Sequence, residues 1–98
     1  MKIVIIDYTT GNIQSVKFAL ERLGISAIVT SDANEIISAD KVILPGVGEA
    51  GSAMLALQEK KLDDVIPSLT QPVLGICLGM QLLCNYSEEG KTKCIGVF

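Results

Sequence analysis

The run Lys2-Ile3-Val4-Ile5-Ile6-Asp7 decides the fold of this chain. Its central residues are apolar and mostly β-branched without alternation, which is typical of a strand buried on both faces of a parallel sheet. Similar short runs follow at residues 25–30, 41–44 and 73–76. Stretches with apolar residues at helical spacing separate them, at residues 13–23, 32–37 and 53–69. The alternation predicts one α/β domain: an open, mostly parallel sheet with helices on both faces, a flavodoxin-like three-layer arrangement with right-handed crossovers.

A few residues indicate where the predicted helices begin and end. Gly24 is expected to end the first helix in the left-handed conformation that glycine tolerates. Ser31 or Asp32 is expected to cap the second helix. We expect a break in the third helical stretch near Lys60-Lys61. Farther on, the polar residues 86–93 are predicted to form a loop, and residues 94–98 the start of a fifth strand.

Composition excludes several classes of protein. With 98 residues, 49% of them apolar, the chain can bury a core, and its net charge of -3 gives no basis for binding nucleic acid or an anionic membrane. No aliphatic stretch is long enough to span a membrane, so we expect a cytoplasmic protein. The cysteines show neither a Cys-x-x-Cys pair nor zinc spacing, and no metal site is predicted. Cys84 and Cys94 are expected to be reduced packing residues.

The stretch Gly75-Ile76-Cys77-Leu78-Gly79 is the strongest functional signal. It joins a predicted strand to the helix-like run 80–83, and it matches the G-x-S-x-G nucleophile elbow with sulfur in place of oxygen. At the first turn of a helix, free N–H groups and the helix dipole favour a thiolate at Cys77. The N–H of Leu78 is then placed to stabilise an oxyanion. The alternative is that Cys77 is only a small buried apolar residue.

The chain contains no histidine. A thiol that attacks an amide normally needs a general base, most often histidine. Either the base lies outside these residues, or the elbow is not catalytic.

A second glycine-rich segment, residues 46–51, follows the third predicted strand, which Pro45 is expected to stop. It matches G-x-G-x-x-G, a pattern found in dinucleotide-binding proteins. That fingerprint normally occupies the first β–α turn, whereas this is the third, and the next strand ends in cysteine instead of a carboxylate. These departures instead favour an ordinary turn or, through Val47 or Gly48, a second oxyanion donor. Both glycine-rich segments lie at carboxyl ends of strands, the edge where open α/β sheets bind ligands.

The motifs together resemble the class I glutamine amidotransferases, which use a Cys-His-Glu triad. Residues 75–81 are similar to the nucleophile motif of that class, including Gln81. Within the class, three further segments resemble the glutaminase subunits of imidazole glycerol phosphate synthases; they are Asp7-Tyr8-Thr9-Thr10-Gly11-Asn12, Pro45-Gly46-Val47-Gly48 and Ser87-Glu88-Glu89-Gly90.

The resemblance implies a role for each matching residue. Cys77 is the nucleophile that forms a glutamyl thioester and releases ammonia, with no cofactor. The backbone of Leu78 and of Val47 or Gly48 holds the oxyanion, and Gln81 and Glu89 bind glutamine. The partner is a (β/α)8 cyclase in a heterodimer, which uses the ammonia to make imidazole glycerol phosphate and aminoimidazole carboxamide ribotide. The residues expected to face that partner are Asn12, Pro45 and Gly46.

The chain also departs from that pattern. Thr9 and Ala50 stand where the subunits often have glycine and an aromatic residue. The triad histidine and glutamate lie in a second half, so residues 1–98 are expected to be the N-terminal part of a single amidotransferase domain and inactive alone. We expect this part of a parallel sheet to leave an apolar face uncovered.

Three alternatives stay open at this point. The first is the glutaminase component of anthranilate or aminodeoxychorismate synthase, whose cysteine motif fits equally well. The second is a non-catalytic flavodoxin-like interaction module, in which Asn12, Gln81 and Glu89 are only a helix cap and surface residues. The third is a nucleotide-dependent oxidoreductase that uses the glycine loop.

Overall fold

The computed structural model describes residues 1–8, 13–46, 50–76, 86–87 and 92–93, without the side chains of 50, 86, 87, 92 and 93. Strands and helices alternate through most of this part of the chain. The elements are β1 (Ile3–Ile6), α1 (Ile13–Arg22), β2 (Ala27–Thr30), α2 (Ala33–Ile37), β3 (Lys41–Leu44), α3 (Ala50–Glu59), α4 (Val65–Ser68), β4 (Val73–Gly75), β5 (Tyr86–Ser87) and β6 (Thr92–Lys93).

The first four strands form one parallel sheet in the order β2-β1-β3-β4. The chain moves from β1 to β2 in one direction across the sheet and from β2 through β3 to β4 in the other. With right-handed crossovers, α1 therefore lies on one face, and α2, α3 and α4 lie on the opposite face. The predicted α/β fold with helices on both faces is confirmed.

The core lies between the sheet and the α2–α4 layer. Alternate residues of the two central strands face this layer, as the period of two along a strand requires. The residues of this core are Val4, Ile6, Tyr8, Ile36, Ala39, Val42, Leu44, Ala53, Met54, Leu57, Leu62 and Ile66. Burying large aliphatic side chains there stabilises the fold by about 2 kcal/mol for each residue.

The opposite face is only partly covered by the described elements. Leu74 of β4 exposes 59% of its side chain, although it lies in register with the buried Ile43 of β3. A groove of about 320 Å³ opens beside them, and it is lined by Ile3, Lys41, Val42, Ile43, Pro72, Val73 and Leu74. The groove lies toward the amino ends of these strands, away from the edge where the predicted catalytic segments begin. Within the described residues, the expected uncovered apolar face is present.

The predicted helix ends agree with the structure at three places. Asp32 caps α2, because its Oδ1 accepts the Asn34 backbone N–H at 2.9 Å. Gly24 ends α1 at φ 80°, and the Ile25 N–H donates to the Leu20 carbonyl at 2.9 Å. The break after α3 is also present.

That break has the geometry of the Gly24 turn with a lysine in the glycine position. Lys61 has a φ of 58°, and the Leu62 N–H donates to the Leu57 carbonyl at 2.8 Å. A side chain with a Cβ adopts this left-handed conformation at a cost of about 1 kcal/mol.

Lys61→Gly is therefore expected to raise the free energy of unfolding by about 1 kcal/mol, because glycine removes the Cβ strain. Gly24→Ala is expected to lower it by a similar amount. A Cβ at Gly24 meets no atom within 4 Å, so only backbone strain acts there. Denaturant unfolding of both variants checks the pair, and a stabilised Gly24→Ala would contradict the prediction.

Two sequence-based expectations are corrected. Residues 86–87 and 92–93 pair as the antiparallel strands β5 and β6, where a loop was predicted. Strands of two residues are too short to show any periodicity, so the pattern could not reveal them. The glycine-rich segment is also shorter than predicted, because α3 already begins at Ala50. The fifth strand predicted at residues 94–98 lies outside the described residues.

Two further properties hold for the described residues. Among the helices found there, each is too short or too polar to cross a lipid bilayer. The same residues contain no group of three or more His, Cys, Asp or Glu side chains that could hold a metal ion.

Candidate active site

The two predicted catalytic segments leave the sheet from paired positions. Leu44 of β3 lies opposite Gly75 of β4, and the Ile76 N–H donates to the Leu44 carbonyl at 3.0 Å. Pro45 directly follows Leu44, and Cys77 directly follows Ile76. Neighbouring strands lie about 4.8 Å apart, so the glycine loop and the elbow start side by side at the carboxyl edge of the sheet.

A third strand contributes to this edge through Tyr8. This residue lies two positions beyond the end of β1, the strand that flanks β3 on the side away from β4. Its side chain is 3% exposed, and its hydroxyl donates a hydrogen bond to the backbone carbonyl of Pro45. The carboxyl ends of β1, β3 and β4 are thus connected: hydrogen bonds link Tyr8 to Pro45 and Leu44 to Ile76.

Burial raises the pKa of Tyr8 from 10.0 to about 12, because the phenolate loses solvation in the core. The hydroxyl consequently stays protonated at neutral pH and remains a hydrogen-bond donor. A neutral tyrosine can hold a carbonyl in place, but it cannot act as the missing general base.

The raised pKa predicts a loss of stability in alkaline solution. The folded state holds the Tyr8 proton more tightly than the unfolded chain. The contribution of Tyr8 to the free energy of unfolding is therefore complete below about pH 10 and is lost as the pH rises to about 12. Stability should fall through that window by about 1.4 kcal/mol per pH unit from this group alone. The measurement is denaturant unfolding of the wild type and of Tyr8→Phe at several pH values. Their stability difference should shrink above pH 10, and parallel profiles would contradict the prediction.

The structure locates two of the predicted site residues. Pro45 and Gly46 are both buried at the carboxyl edge of the sheet. Their predicted role at a partner interface stays a prediction. The other predicted site residues lie outside the described residues, and their roles also stay predictions; they are Asn12, Val47, Gly48, Cys77, Leu78, Gln81 and Glu89.

Sequence reasoning assigned no role to Tyr8. A signal was available, because Val4, Ile6 and Tyr8 share the period of two that places side chains on one face of a strand. That pattern indicates burial toward the core. It could not indicate that the hydroxyl reaches Pro45, which is 37 residues away in the chain.

Comparison with known proteins identifies the family. The family described as glutamine amidotransferase class-I matches residues 4–93. This chain belongs to the class I glutamine amidotransferases. The match runs from Val4, the second residue of β1, through β6, and it includes both segments that start at the carboxyl edge.

Curated relatives of this amidotransferase chain carry a more specific name. A Bacteroides fragilis protein is 58% identical over 98 residues, which are 100% of this chain and 50% of that protein. A Haemophilus influenzae protein is 55% identical over 97 residues, covering 99% of this chain and 49% of that protein. Both are named imidazole glycerol phosphate synthase subunit HisH. The chain spans about half the length of the curated relatives it matches.

A solved structure supports the fold of the amidotransferase chain independently. A crystal structure of a glutamine amidotransferase superposes with a TM-score of 0.79 at 23% identity, covering 96% of this chain and 52% of that one. Together with the named relatives, the family match does not favour the interaction module, the oxidoreductase or the anthranilate-type alternative.

Proposed function

We propose that this chain carries the nucleophile half of the glutaminase centre of an imidazole glycerol phosphate synthase. The observation that carries the proposal is the relatives' shared name, which comes from matches over the whole length of this chain. The architecture supports it, because the elbow and the glycine loop begin at hydrogen-bonded ends of β3 and β4. The proposal includes residues 1–98 as the N-terminal part of a single domain in a cytoplasmic enzyme.

The proposed chemistry is acyl transfer to sulfur. The thiolate of Cys77 attacks the side-chain carbonyl carbon of glutamine, and the carbonyl oxygen takes the negative charge. Backbone N–H groups of Leu78 and of Val47 or Gly48 hold that oxyanion. The carbon–nitrogen bond then breaks, the amide nitrogen leaves as ammonia after it receives a proton, and a glutamyl thioester remains. Water hydrolyses the thioester to glutamate and regenerates the thiol.

The proton transfers need a base that these residues do not contain, since the chain has no histidine. We assign the base and its orienting glutamate to the remainder of the domain. In this proposal Gln81 and Glu89 hold glutamine, and the 98 residues alone release no ammonia.

The proposed partner is a (β/α)8 cyclase that receives the ammonia and converts a phosphoribosyl intermediate to imidazole glycerol phosphate and aminoimidazole carboxamide ribotide. Asn12, Pro45 and Gly46 are proposed to face it. Support comes from the relatives' description as a synthase subunit, because a subunit implies an assembly.

Covalent labelling tests the proposal directly. A glutamine-analogue electrophile is added to the protein that carries this chain, assembled with its cyclase, and the labelled cysteine is identified by peptide mass spectrometry. We expect labelling of Cys77 only, with protection by excess glutamine. Cys84 and Cys94 are internal controls. If the reagent labelled thiols by accessibility alone, without an oxyanion site, it would not single out Cys77 from these two. Equal labelling of the three cysteines, unaffected by glutamine, would overturn the proposed function.

A further inference from the structure

Pro45 is constrained more strongly than a residue that merely begins a loop. Its ring restricts φ to about −65°, and it has no N–H to donate. Among the described residues, its carbonyl lies beyond the final hydrogen bond between the β3 and β4 segments, which the Leu44 carbonyl accepts from the Ile76 N–H. A buried carbonyl without a donor costs about 1–3 kcal/mol, so the donor that it does have fixes its direction.

That donor is the hydroxyl of Tyr8, and Tyr8 itself has little freedom. Its ring belongs to the buried core with Ile6 and Leu44, and 3% of its surface is exposed. The bond therefore connects the Pro45–Gly46 peptide to the packed centre of the domain. The pyrrolidine ring restricts the φ torsion of Pro45, and the hydrogen bond to its carbonyl restricts the ψ torsion.

Gly46 is the residue between Pro45 and the proposed Val47 donor. It has no Cβ, so its side of the Gly46–Val47 peptide carries no restriction from a side chain. The N–H of Val47 belongs to this peptide. The fixed peptide thus lies on the amino side of Gly46, and the proposed donor follows on its carboxyl side.

We propose that Tyr8 is a positioning residue for the proposed oxyanion-binding loop, because its hydroxyl fixes the Pro45–Gly46 peptide, which directly precedes the peptide that contains the proposed Val47 donor. This inference rests on the proposed glutaminase function and adds to it a residue of the core. Tyr8 touches neither glutamine nor Cys77 in this scheme. Its effect is on the direction of a donor that stabilises the transition state.

Such a role affects kcat and KM for glutamine differently. An oxyanion donor acts on the charge that develops in the transition state, so its displacement lowers kcat and leaves KM for glutamine nearly unchanged. Removal of a whole donor costs about 100- to 1000-fold in kcat. Imperfect orientation after Tyr8→Phe is therefore expected to cost about 10- to 100-fold.

The test compares Tyr8→Phe with the wild type in the protein that carries this chain, assembled with its cyclase. Glutamate formation gives kcat and KM, and hydrogen–deuterium exchange reports on the peptide containing residues 44–48. Alkylation of Cys77 by iodoacetamide is a third measurement, because that displacement develops no oxyanion. Ser68→Ala is the matched control, since it also removes a hydroxyl that donates to a backbone carbonyl, that of Val65, but at an exposed position of α4.

For Tyr8→Phe we expect a kcat below that of the wild type and a KM within about threefold of it. Hydrogen–deuterium exchange should be faster only in residues 44–48, and the alkylation rate of Cys77 should be unchanged. Ser68→Ala should match the wild type in all of these. Unchanged kcat in Tyr8→Phe, or a loss of kcat accompanied by faster exchange throughout β1 and β3, would overturn it. If instead the wild-type complex formed no glutamate, or Cys77→Ala retained full activity, the proposed function itself would fail.

Discussion

Cys77→Ala is expected to lower glutamine-dependent glutamate formation by the assembled enzyme at least about 10⁴-fold, because no other atom of the chain is proposed to form the thioester. The residual rate should reflect binding and oxyanion stabilisation alone. Glutamine binding should persist, since the variant removes one sulfur atom and leaves the proposed contacts of Gln81 and Glu89 in place. Steady-state kinetics and calorimetric titration with glutamine measure the two properties separately.

Two controls make this result specific. Cys84→Ala removes a sulfur from the same chain and should leave the rate within about twofold of the wild type, as expected for a substitution outside the reacting groups. Ammonium salts supplied to the Cys77→Ala complex should restore the partner's reaction, because free ammonia bypasses the thioester. A Cys77→Ala enzyme that retains glutamine-dependent activity would exclude this cysteine as the nucleophile.

The largest expected effect on stability is at Gln71, which lies just before β4. Its Nε2 is 3.0 Å from the Ile36 carbonyl oxygen, 3.2 Å from that of Ile37 and 3.0 Å from that of Ala39. These carbonyls lie at the C-terminal end of α2 and just after it, and the Ile36 carbonyl also accepts the Ala39 N–H at 3.2 Å. One side-chain amide thus joins the end of α2 to the segment that leads into β4.

Gln71→Glu is expected to lower the free energy of unfolding by about 4 kcal/mol at neutral pH. The substitution keeps the shape of the side chain, but it replaces a donor with a carboxylate that faces three carbonyl oxygens and the negative end of a helix. Denaturant unfolding at neutral pH measures the loss.

The pH dependence separates this mechanism from a general effect of added charge. Repulsion by the carbonyls raises the folded-state pKa of the new carboxyl, so the penalty grows as the pH rises above the unfolded value of about 4.3 and fades below it. Gln58→Glu, at an exposed position on α3, is the matched control and should change stability by less than about 0.5 kcal/mol. Equal effects of the two substitutions at neutral pH would show that the Gln71 contacts contribute nothing specific.

The central strands were predictable because their physical causes are local. An unbroken run of β-branched residues such as 3–6 is typical of a strand between two covered faces, and this already indicates a parallel sheet. The turns at Gly24 and Lys61 were predictable for the same reason, since helix-ending signals act within a few residues. The pairing of β5 with β6 was missed because strands of two residues depend on a partner elsewhere in the chain, which no pattern along the chain displays.

The candidate site was only partly predictable. The spacing of glycines around Cys77 and after Pro45 indicated an elbow and a loop, and topology placed both at one edge. The sequence could not show that Leu44 and Ile76 are hydrogen-bonded there, because strand order depends on how the whole sheet assembles.

The sequence by itself determined the strands and helices of the parallel sheet layer and the amidotransferase motif, because hydrophobic patterns and backbone preferences are properties of neighbouring residues. Only the tertiary structure decided that the Tyr8 hydroxyl meets the Pro45 carbonyl and that the Gln71 amide meets the end of α2. Those pairs are separated by 37 residues and by 32–35 residues along the chain. Their hydrogen bonds form only after burial of the core has brought distant backbone groups within about 3 Å of a donor.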